Sequence, residues 1–116
     1  MFIPPGFTQH TVPLALGSVA YIQTDPGFWP DAPAATMPLV FIHGFGGGSS
    51  SYEWSKVYPA FAANYPVLAP DLIGWGRSDH PDRPCTTADY LALVQELIET
   101  LCPEPPLVVA SSLSAA

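Results

Sequence analysis

The sequence predicts an α/β fold in which a β-hairpin is followed by parallel strands with crossover helices. Near the N-terminus, apolar and polar residues alternate on both sides of Gly17, as expected for a hairpin of half-buried strands. From residue 39 onward, short apolar runs alternate with helical segments in the order strand, helix, strand, helix, strand. This order is typical of an open parallel sheet with right-handed crossovers.

The composition fits one globular domain. The chain has 116 residues, of which 48% are hydrophobic, and its 15 prolines are scattered between apolar runs. Scattered prolines punctuate a folded chain, whereas proline tracts would indicate a low-complexity segment. We therefore expect residues 1–116 to belong to a single domain.

The charge balance excludes two classes of partner. Three Lys and Arg residues stand against ten Asp and Glu residues, which gives a formal net charge of -7. Such a surface offers no cationic patch to nucleic acid phosphates or to anionic lipid. The N-terminus also lacks the basic start and apolar core of a secretory signal, and no run of about 18 apolar residues is present to span a bilayer. We expect a cytoplasmic protein whose partners include neither nucleic acid nor membrane.

Neither cysteine indicates a metal or cofactor site. Cys85 and Cys102 flank a predicted helix and lack the close spacing of zinc ligands. We expect two reduced thiols, and we assign no metal and no cofactor to the chain.

Three buried strands are predicted after the hairpin. The hairpin itself covers residues 11–16 and 19–25, and residues 25–38 form an irregular connection with four prolines. The continuous apolar run at residues 39–42 predicts a strand that is buried on both faces. Residues 67–69 and 107–109 predict two further strands of this kind.

Two helices are predicted between these strands. Residues 52–64 place apolar side chains at helical spacing, so we expect a short helix that Pro59 bends or breaks. The second helix has a clearer start, because Thr86 is a suitable N-cap and Asp89 approximates a capping box. Pro103 ends it. Its predicted apolar face consists of Tyr90, Val94, Leu97 and Leu101.

A glycine-rich loop from His43 to Gly48, called the oxyanion loop below, follows directly after the strand at residues 39–42. Glycine lets the backbone turn sharply and present its N–H groups without obstruction. Stabilisation of a developing oxyanion requires such N–H groups. The alternative without chemistry is a simple turn from strand to helix.

A dinucleotide-binding loop is a rival interpretation of the same residues. Gly44 and Gly46 match the first two positions of a G-x-G-x-x-G pattern, and Asp71 ends the next strand, where an acid that binds ribose would lie. The third position is Ser49 instead of glycine or alanine, and Asp71 comes later than the expected spacing of about 20 residues. This interpretation also gives no role to the two motifs described next.

The second motif is the loop at residues 70–79, with the sequence PDLIGWGRSD. Its two glycines permit a tight turn, and Arg77 is placed to pair with Asp71 or Asp79 near the sheet edge. We interpret this loop as structural. Asp71 is not assigned as a catalytic carboxylate, because it precedes the candidate nucleophile.

The third motif is the serine-rich segment after the last apolar run. A nucleophile elbow needs small residues two positions before and after the serine, because its strained turn brings backbone close to those positions. Ser112 meets this requirement with Ala110 and Ser114, whereas Ser111 would have two large residues there. Ser114 also has small residues at these positions, so residue size leaves both open. The end of the apolar strand at Val109 favours Ser112.

Together, the three motifs resemble those of the α/β-hydrolase superfamily in order and spacing: HGFGGG after the third strand, PDLIGWGRSD after the fourth and ASSLSA after the fifth. By this resemblance, Ser112 is the nucleophile, and the backbone N–H groups of Phe45 and Leu113 form the oxyanion hole. The fold is then the N-terminal half of an α/β-hydrolase core, a partial domain that ends after the nucleophile elbow. The resemblance gives a role in supporting the loops to His43, Gly44, Gly46, Gly47, Asp71, Gly74, Gly76 and Arg77.

Two departures from the family pattern bear on function. Ala110 and Ser114 replace the glycines that usually flank the nucleophile, and both are small enough for the turn. The family's acid and histidine follow the nucleophile, whereas only four residues follow Ser112 and all three histidines precede it. Without a histidine base, a serine hydroxyl is a weak nucleophile.

The sequence supports two functional hypotheses. In the first, a full-length form hydrolyses ester or related acyl bonds of an apolar small molecule through an acyl-Ser112 intermediate, while the 116-residue chain alone is nearly inactive. Aspartate in place of Ser112 would instead imply dehalogenase or epoxide hydrolase chemistry. In the second hypothesis, the chain is a non-catalytic fragment that binds a partner, or a second copy of itself, through an exposed apolar sheet edge.

Overall fold

The computed structural model describes residues 3–25, 27–28, 38–44, 50–62, 65–81, 85–102 and 105–110. Within these ranges the α-helix α1 spans Thr87–Leu101. The same ranges contain five strands, which are β1 (Phe7–Leu14), β2 (Gly17–Thr24), β3 (Leu39–Ile42), β4 (Val67–Pro70) and β5 (Leu107–Ala110). They form one sheet in the order β1-β2-β4-β3-β5.

The predicted hairpin is confirmed. Strands β1 and β2 pair antiparallel from Phe7 opposite Thr24 to Leu14 opposite Gly17, so the first strand starts earlier than the alternation indicated. Gly17 closes the turn with a φ of +141°, a conformation that L residues with side chains rarely adopt. Strand β2 then pairs antiparallel with β4 and joins the hairpin to the rest of the sheet.

The predicted parallel arrangement is also confirmed. Strand β3 pairs parallel with β4 on one side and with β5 on the other. The chain therefore passes from β4 across β3 to reach β5, which makes β3 the point where the strand order reverses. In open α/β sheets, ligands bind beyond the carboxyl ends of the strands at such a point.

Two apolar clusters, one on each face of the sheet, explain the continuous apolar run of β3. Val40 and Ile42 pack into the cluster that contains Leu93 and Leu97 of α1. Leu39 and Phe41 pack into the second cluster, and Phe41 lies 6.1 Å from the Tyr58 ring, centroid to centroid. Because successive side chains of a strand point to opposite faces, a strand covered on both faces is apolar at every position.

The predicted helix at residues 52–64 is replaced, as far as residue 62, by two short 3₁₀ segments, Ser51–Trp54 and Tyr58–Phe61. The interruption falls before Pro59, which occupies the first turn of the second segment. Proline is tolerated there because the first N–H groups of a helix have no partner within the helix. The expected break is therefore present next to Pro59, but the two pieces are 3₁₀ segments where a short helix was predicted.

The N-terminus of α1 has the predicted capping box. The Asp89 N–H donates to Thr86 Oγ1 over 3.1 Å, and the Thr86 N–H donates to Asp89 Oδ2 over 2.9 Å. Leu93 and Leu97 are the buried residues of the helix, whereas the other predicted face residues are only partly buried. The stripe is thus centred on Leu93 and Leu97, and the sequence interpretation omitted Leu93.

The prediction that β5 is buried on both faces is wrong. Leu107 is 50% exposed and Val108 is 49% exposed. In the described part of the chain, β5 is an edge strand with β3 as its neighbour, and only its second half, Val109 and Ala110, is partly buried against the two apolar clusters. Within the described residues, no helix combines the length and apolarity needed to cross a bilayer.

Candidate active site

His43 is the first residue after β3, and its side chain is completely buried. The Leu72 N–H donates to His43 Nε2 over 2.9 Å, so Nε2 carries no hydrogen. The hydrogen of the neutral ring is therefore on Nδ1, which donates to the Gly44 carbonyl oxygen over 2.7 Å. The edge of the ring contacts Trp75, with 5.8 Å between centroids. Both ring nitrogens are engaged within the fold, which leaves His43 no free position for acting as a base.

Gly44 is held through its amide as well as through its carbonyl group. Its N–H donates to Glu53 Oε1, and Glu53 lies in the first 3₁₀ segment. That segment is capped by Ser50, whose hydroxyl accepts from the Tyr52 N–H over 3.2 Å. The sequence interpretation missed Glu53, although an acidic residue in the first turn after a glycine loop is a recognisable signal.

Asp71 joins the loops that follow β3 and β4. Only 2% of its surface is exposed. Oδ1 accepts from the Ser51 N–H over 2.6 Å, and Oδ2 accepts from the Arg77 N–H over 3.0 Å. Arg77 therefore contacts Asp71 through its backbone amide. The Arg77 guanidinium donates from Nη1 to Gln9.

The two glycines of the second motif have the left-handed backbone that a tight loop requires. Gly74 has a φ of +88° and Gly76 a φ of +51°. A β-carbon on Gly76 would also overlap the Asp71 carboxylate, whereas the nearest atom to one on Gly74 is Tyr90 Oη at 3.7 Å. Gly76 is therefore required for two separate reasons and Gly74 for one.

Ser78 and Asp79, at the end of this motif, connect the loop to the hairpin by hydrogen bonds. Ser78 Oγ donates to the Asp71 carbonyl oxygen and accepts from the Ala20 N–H over 2.8 Å. Asp79 exchanges two hydrogen bonds with Ser18, each of 2.9 Å, one through its carboxylate and one through its N–H. The sequence interpretation had no role for Ser78, because one of its partners, Ala20, lies 58 positions away along the chain.

Burial changes the acidity of two tyrosines near these loops. Desolvation, together with the negative charge of Asp71, raises the pKa of Tyr58 to about 12. Desolvation also raises the pKa of Tyr90, whose hydroxyl donates to the Ile73 carbonyl oxygen over 3.1 Å. Tyr90 thus ties α1 to the loop after β4.

The register between β3 and β5 relates the first and third motifs. Ile42 lies opposite Ala110 in this parallel pair, so the last residues of the two neighbouring strands are at the same level. Neighbouring strands are about 4.8 Å apart. The remaining predicted site residues, which are Phe45, Gly46, Gly47, Ser112 and Leu113, lie outside the described residues.

Both cysteines are free thiols, and burial raises the pKa of Cys102. Among the residues that the structure describes, no three His, Cys, Asp or Glu side chains are grouped as metal ligands would be.

Comparisons with known proteins agree with this geometry. A family model described as "Alpha/beta hydrolase family" matches residues 39–116. A haloalkane dehalogenase of Mycobacterium marinum is 38% identical over 92 residues, which cover 75% of this chain and 27% of that protein. A soluble epoxide hydrolase of Corynebacterium sp. is 42% identical over 64 residues, which cover 52% of this chain and 22% of that protein.

Solved structures show the same likeness. The crystal structure of a loop variant of the haloalkane dehalogenase DbeA from Bradyrhizobium elkanii superposes with a TM-score of 0.77 and 27% sequence identity. The match covers 94% of this chain and 33% of that one, so the chain spans about a third of the length of this structural relative. The relatives of this chain are hydrolases, and the sheet of this chain is that of their fold. The chain therefore belongs to the alpha/beta hydrolase family.

Proposed function

We propose that this chain carries the nucleophile and the oxyanion loop of a hydrolase that cleaves ester or related acyl bonds, with Ser112 as the nucleophile. The observation that carries the proposal is the register of Ile42 opposite Ala110. Phe45 and Leu113 each follow these paired residues by three positions. Their N–H groups are the ones that the family pattern assigns to the oxyanion hole.

The proposed reaction has two steps. Ser112 Oγ attacks the carbonyl carbon of the substrate while a base takes its proton, and the bond to the leaving alcohol breaks as the alcohol receives that proton. Water then cleaves the acyl-serine ester and restores the hydroxyl. In both steps the carbonyl oxygen becomes negatively charged, and the N–H groups of Phe45 and Leu113 stabilise that charge.

The contacts of His43 support this role for the oxyanion loop. The Gly44 carbonyl and the Phe45 N–H are the two polar groups of one planar peptide unit, so fixing the direction of the first constrains the second. His43 Nδ1 binds the Gly44 carbonyl oxygen, and the Leu72 N–H in turn fixes the His43 ring. In this proposal His43 positions an oxyanion donor and takes no part in proton transfer.

The serine at position 112 favours acyl transfer over the chemistry named for the relatives. A carboxylate that attacks an alkyl halide or an epoxide forms an ester, which water can hydrolyse. A serine hydroxyl would form an ether in the same attack, and an ether would not turn over. With an acyl substrate, Ser112 forms an ester that water can cleave, so we propose a neutral, apolar ester as substrate.

The base of the proposed reaction is a residue that this sequence does not contain. His43 uses both ring nitrogens in the fold. His10 belongs to β1, at the opposite edge of the sheet from β5, and His80 is exposed beside the Gly76 carbonyl. We therefore propose that the 116-residue chain by itself hydrolyses esters several orders of magnitude more slowly than a form with a complete triad.

Labelling with a fluorophosphonate probe tests the nucleophile. A longer form that contains these residues should be labelled, and Ser112→Ala should abolish labelling. Ser111→Ala and Ser114→Ala serve as matched controls and should retain it. Labelling that survives in Ser112→Ala would exclude Ser112, and turnover of a p-nitrophenyl ester by the 116-residue chain would refute its inactivity.

The exposed side chains of β5 support a second candidate function, a binding piece without catalysis. Leu107 and Val108 present half-exposed apolar surface at a sheet edge, where another strand or a second copy can pair. Determining the coding sequence beyond codon 116 separates the two functions. An in-frame continuation with a late histidine supports the hydrolase function, and an immediate stop codon supports the function of a non-catalytic binding fragment.

A further inference from the structure

The Gly44 amide is bound by a carboxylate that the proposed mechanism does not use. Glu53 Oε1 accepts the Gly44 N–H, although the two residues are nine positions apart. Gly44 is buried, whereas the rest of the Glu53 side chain is exposed. An exposed glutamate usually gains little from an ordered position, because ordering its side chain costs conformational entropy. A charge-assisted hydrogen bond to a backbone N–H is strong enough to oppose that cost.

The backbone that carries Glu53 is itself anchored. Asp71 Oδ1 accepts the Ser51 N–H over 2.6 Å, two residues before Glu53, and Ser50 caps the same 3₁₀ segment. The buried Asp71 carboxylate therefore fixes the segment, and the segment presents Glu53 to the start of the oxyanion loop. One connected set of hydrogen bonds runs from the loop after β4 to Gly44.

Gly44 is consequently bound on both of its polar groups. His43 Nδ1 donates to its carbonyl oxygen and Glu53 accepts from its N–H. A glycine in this position has no side chain to restrict its backbone, so these two hydrogen bonds take over that restriction. The Gly44 N–H is also occupied, which prevents it from competing with the N–H of the next residue for a substrate oxygen.

We propose that Glu53 is a positioning residue of the oxyanion loop: its carboxylate binds the Gly44 N–H, fixes the peptide between His43 and Gly44 and keeps that N–H away from the substrate. The catalytic meaning of this role rests on the proposed function. The contact itself is a property of this chain and is testable without any activity.

Amide NMR spectra of the 116-residue chain test the contact. In Glu53→Ala, the Gly44 amide proton should move upfield, and its exchange with solvent should become about tenfold faster or more, since a hydrogen bond to a charged group is lost. Glu53→Gln keeps an acceptor oxygen at the same reach and should restore most of the protection. Rescue by glutamine separates the acceptor role from a general effect of the substitution.

Glu96 offers a matched control, because its Oε1 accepts the Ala15 N–H over 3.1 Å. Glu96→Ala should change the Ala15 amide and leave the Gly44 amide as it is. If Glu53→Ala fails to fold, Glu53→Asp replaces it, since its carboxylate keeps the charge but is one methylene shorter. A Gly44 amide that is unchanged in these variants, or one that glutamine fails to restore, would overturn the proposal.

A longer, active form gives the catalytic readout. Glu53→Ala should lower kcat at least tenfold with a smaller change in KM, because positioning of an oxyanion donor matters most in the transition state, and Glu53→Gln should recover most of kcat. An unchanged kcat in Glu53→Ala, with Ser112 still labelled, would refute the role of Glu53 alone. Absent labelling of Ser112, with the Gly44 signature intact, would refute the proposed function and leave the contact standing.

Discussion

The Asp71 carboxylate fills the space that a β-carbon on Gly76 would occupy. This close approach lets Asp71 Oδ2 accept the Arg77 N–H while Oδ1 accepts the Ser51 N–H. The two loops at the carboxyl ends of β3 and β4 are therefore held together by one buried side chain. A carboxylate is suited to this position because it accepts several N–H groups at once.

Gly76→Ala should destabilise the fold by about 3 kcal/mol, since it adds a steric clash to a left-handed backbone. Gly74→Ala is the matched control: it has the same sign of φ but an open space, so about 1 to 2 kcal/mol is expected. Urea unfolding measures both values. Equal decreases in the free energy of unfolding of the two variants would mean that the steric contact with Asp71 does not contribute to the effect.

Asp71→Asn should lower the free energy of unfolding by about 2 to 3 kcal/mol, because the new NH₂ group would face a backbone N–H and leave it unsatisfied. Asp79→Asn should cost less than about 1 kcal/mol, since Asp79 is exposed and its carboxylate accepts the exposed Ser18 N–H. The comparison uses urea unfolding at one pH. A loss at Asp79 as large as that at Asp71 would contradict the linking role of Asp71.

His43 should exist as the Nδ1–H tautomer, because the Leu72 N–H donates to Nε2. Two-bond ¹⁵N–¹H correlation spectra at about pH 8, where an ordinary histidine is neutral, report the tautomer directly. His80, which is exposed, provides the comparison within the same spectrum. Finding the hydrogen of His43 on Nε2 would remove the basis for its support of the oxyanion loop.

The free energy of unfolding should fall as the pH rises from about 10 to about 12. The pKa of Tyr58 is raised to about 12 in the fold, so the folded chain keeps this proton after the unfolded chain has lost it. Tyr58→Phe should flatten the decline by at most about 1.4 kcal/mol per pH unit. A wild-type slope in Tyr58→Phe would contradict the shift.

Leu107→Lys should reduce self-association of the chain, because a charge on an edge strand opposes pairing with a second strand. Leu91→Lys is the control: Leu91 is 68% exposed but lies on α1 and not on a strand. Sedimentation velocity over a range of concentrations measures the effect. An equal response to both substitutions would indicate general solubility instead of an edge contact.

Local sequence patterns predicted two kinds of element correctly: a strand that is covered on both faces, and a helix start that depends on neighbouring residues. The run Leu39–Ile42 identified β3 because both faces of that strand are covered. Thr86 and Asp89 identified the start of α1 because a capping box depends on neighbouring residues. The pattern at Leu107–Ala110 identified a strand but gave the wrong burial, since burial depends on what packs against the strand.

The supporting contacts of the site were harder to predict. Glu53 is recognisable as an acidic residue in the first turn of a helical segment, but no local pattern identifies Gly44 as its partner or Ala20 as the partner of Ser78. Ser78 binds Ala20, which is 58 positions away, so the contact exists only after β2 and β4 have paired. Asp71 was correctly placed at a strand end, but its partners proved to be backbone N–H groups that carry no sequence signature.

The sequence by itself determined the family, the order of strands and helices along the chain, and the candidate nucleophile Ser112, because motif spacing and apolar periodicity are properties of neighbouring residues. Only the tertiary structure decided that β5 lies beside β3, that His43 donates to Gly44, and that Asp71 and Glu53 hold the loops. These contacts join residues that meet when the sheet assembles. Their energies depend on distance and burial, which no local pattern encodes.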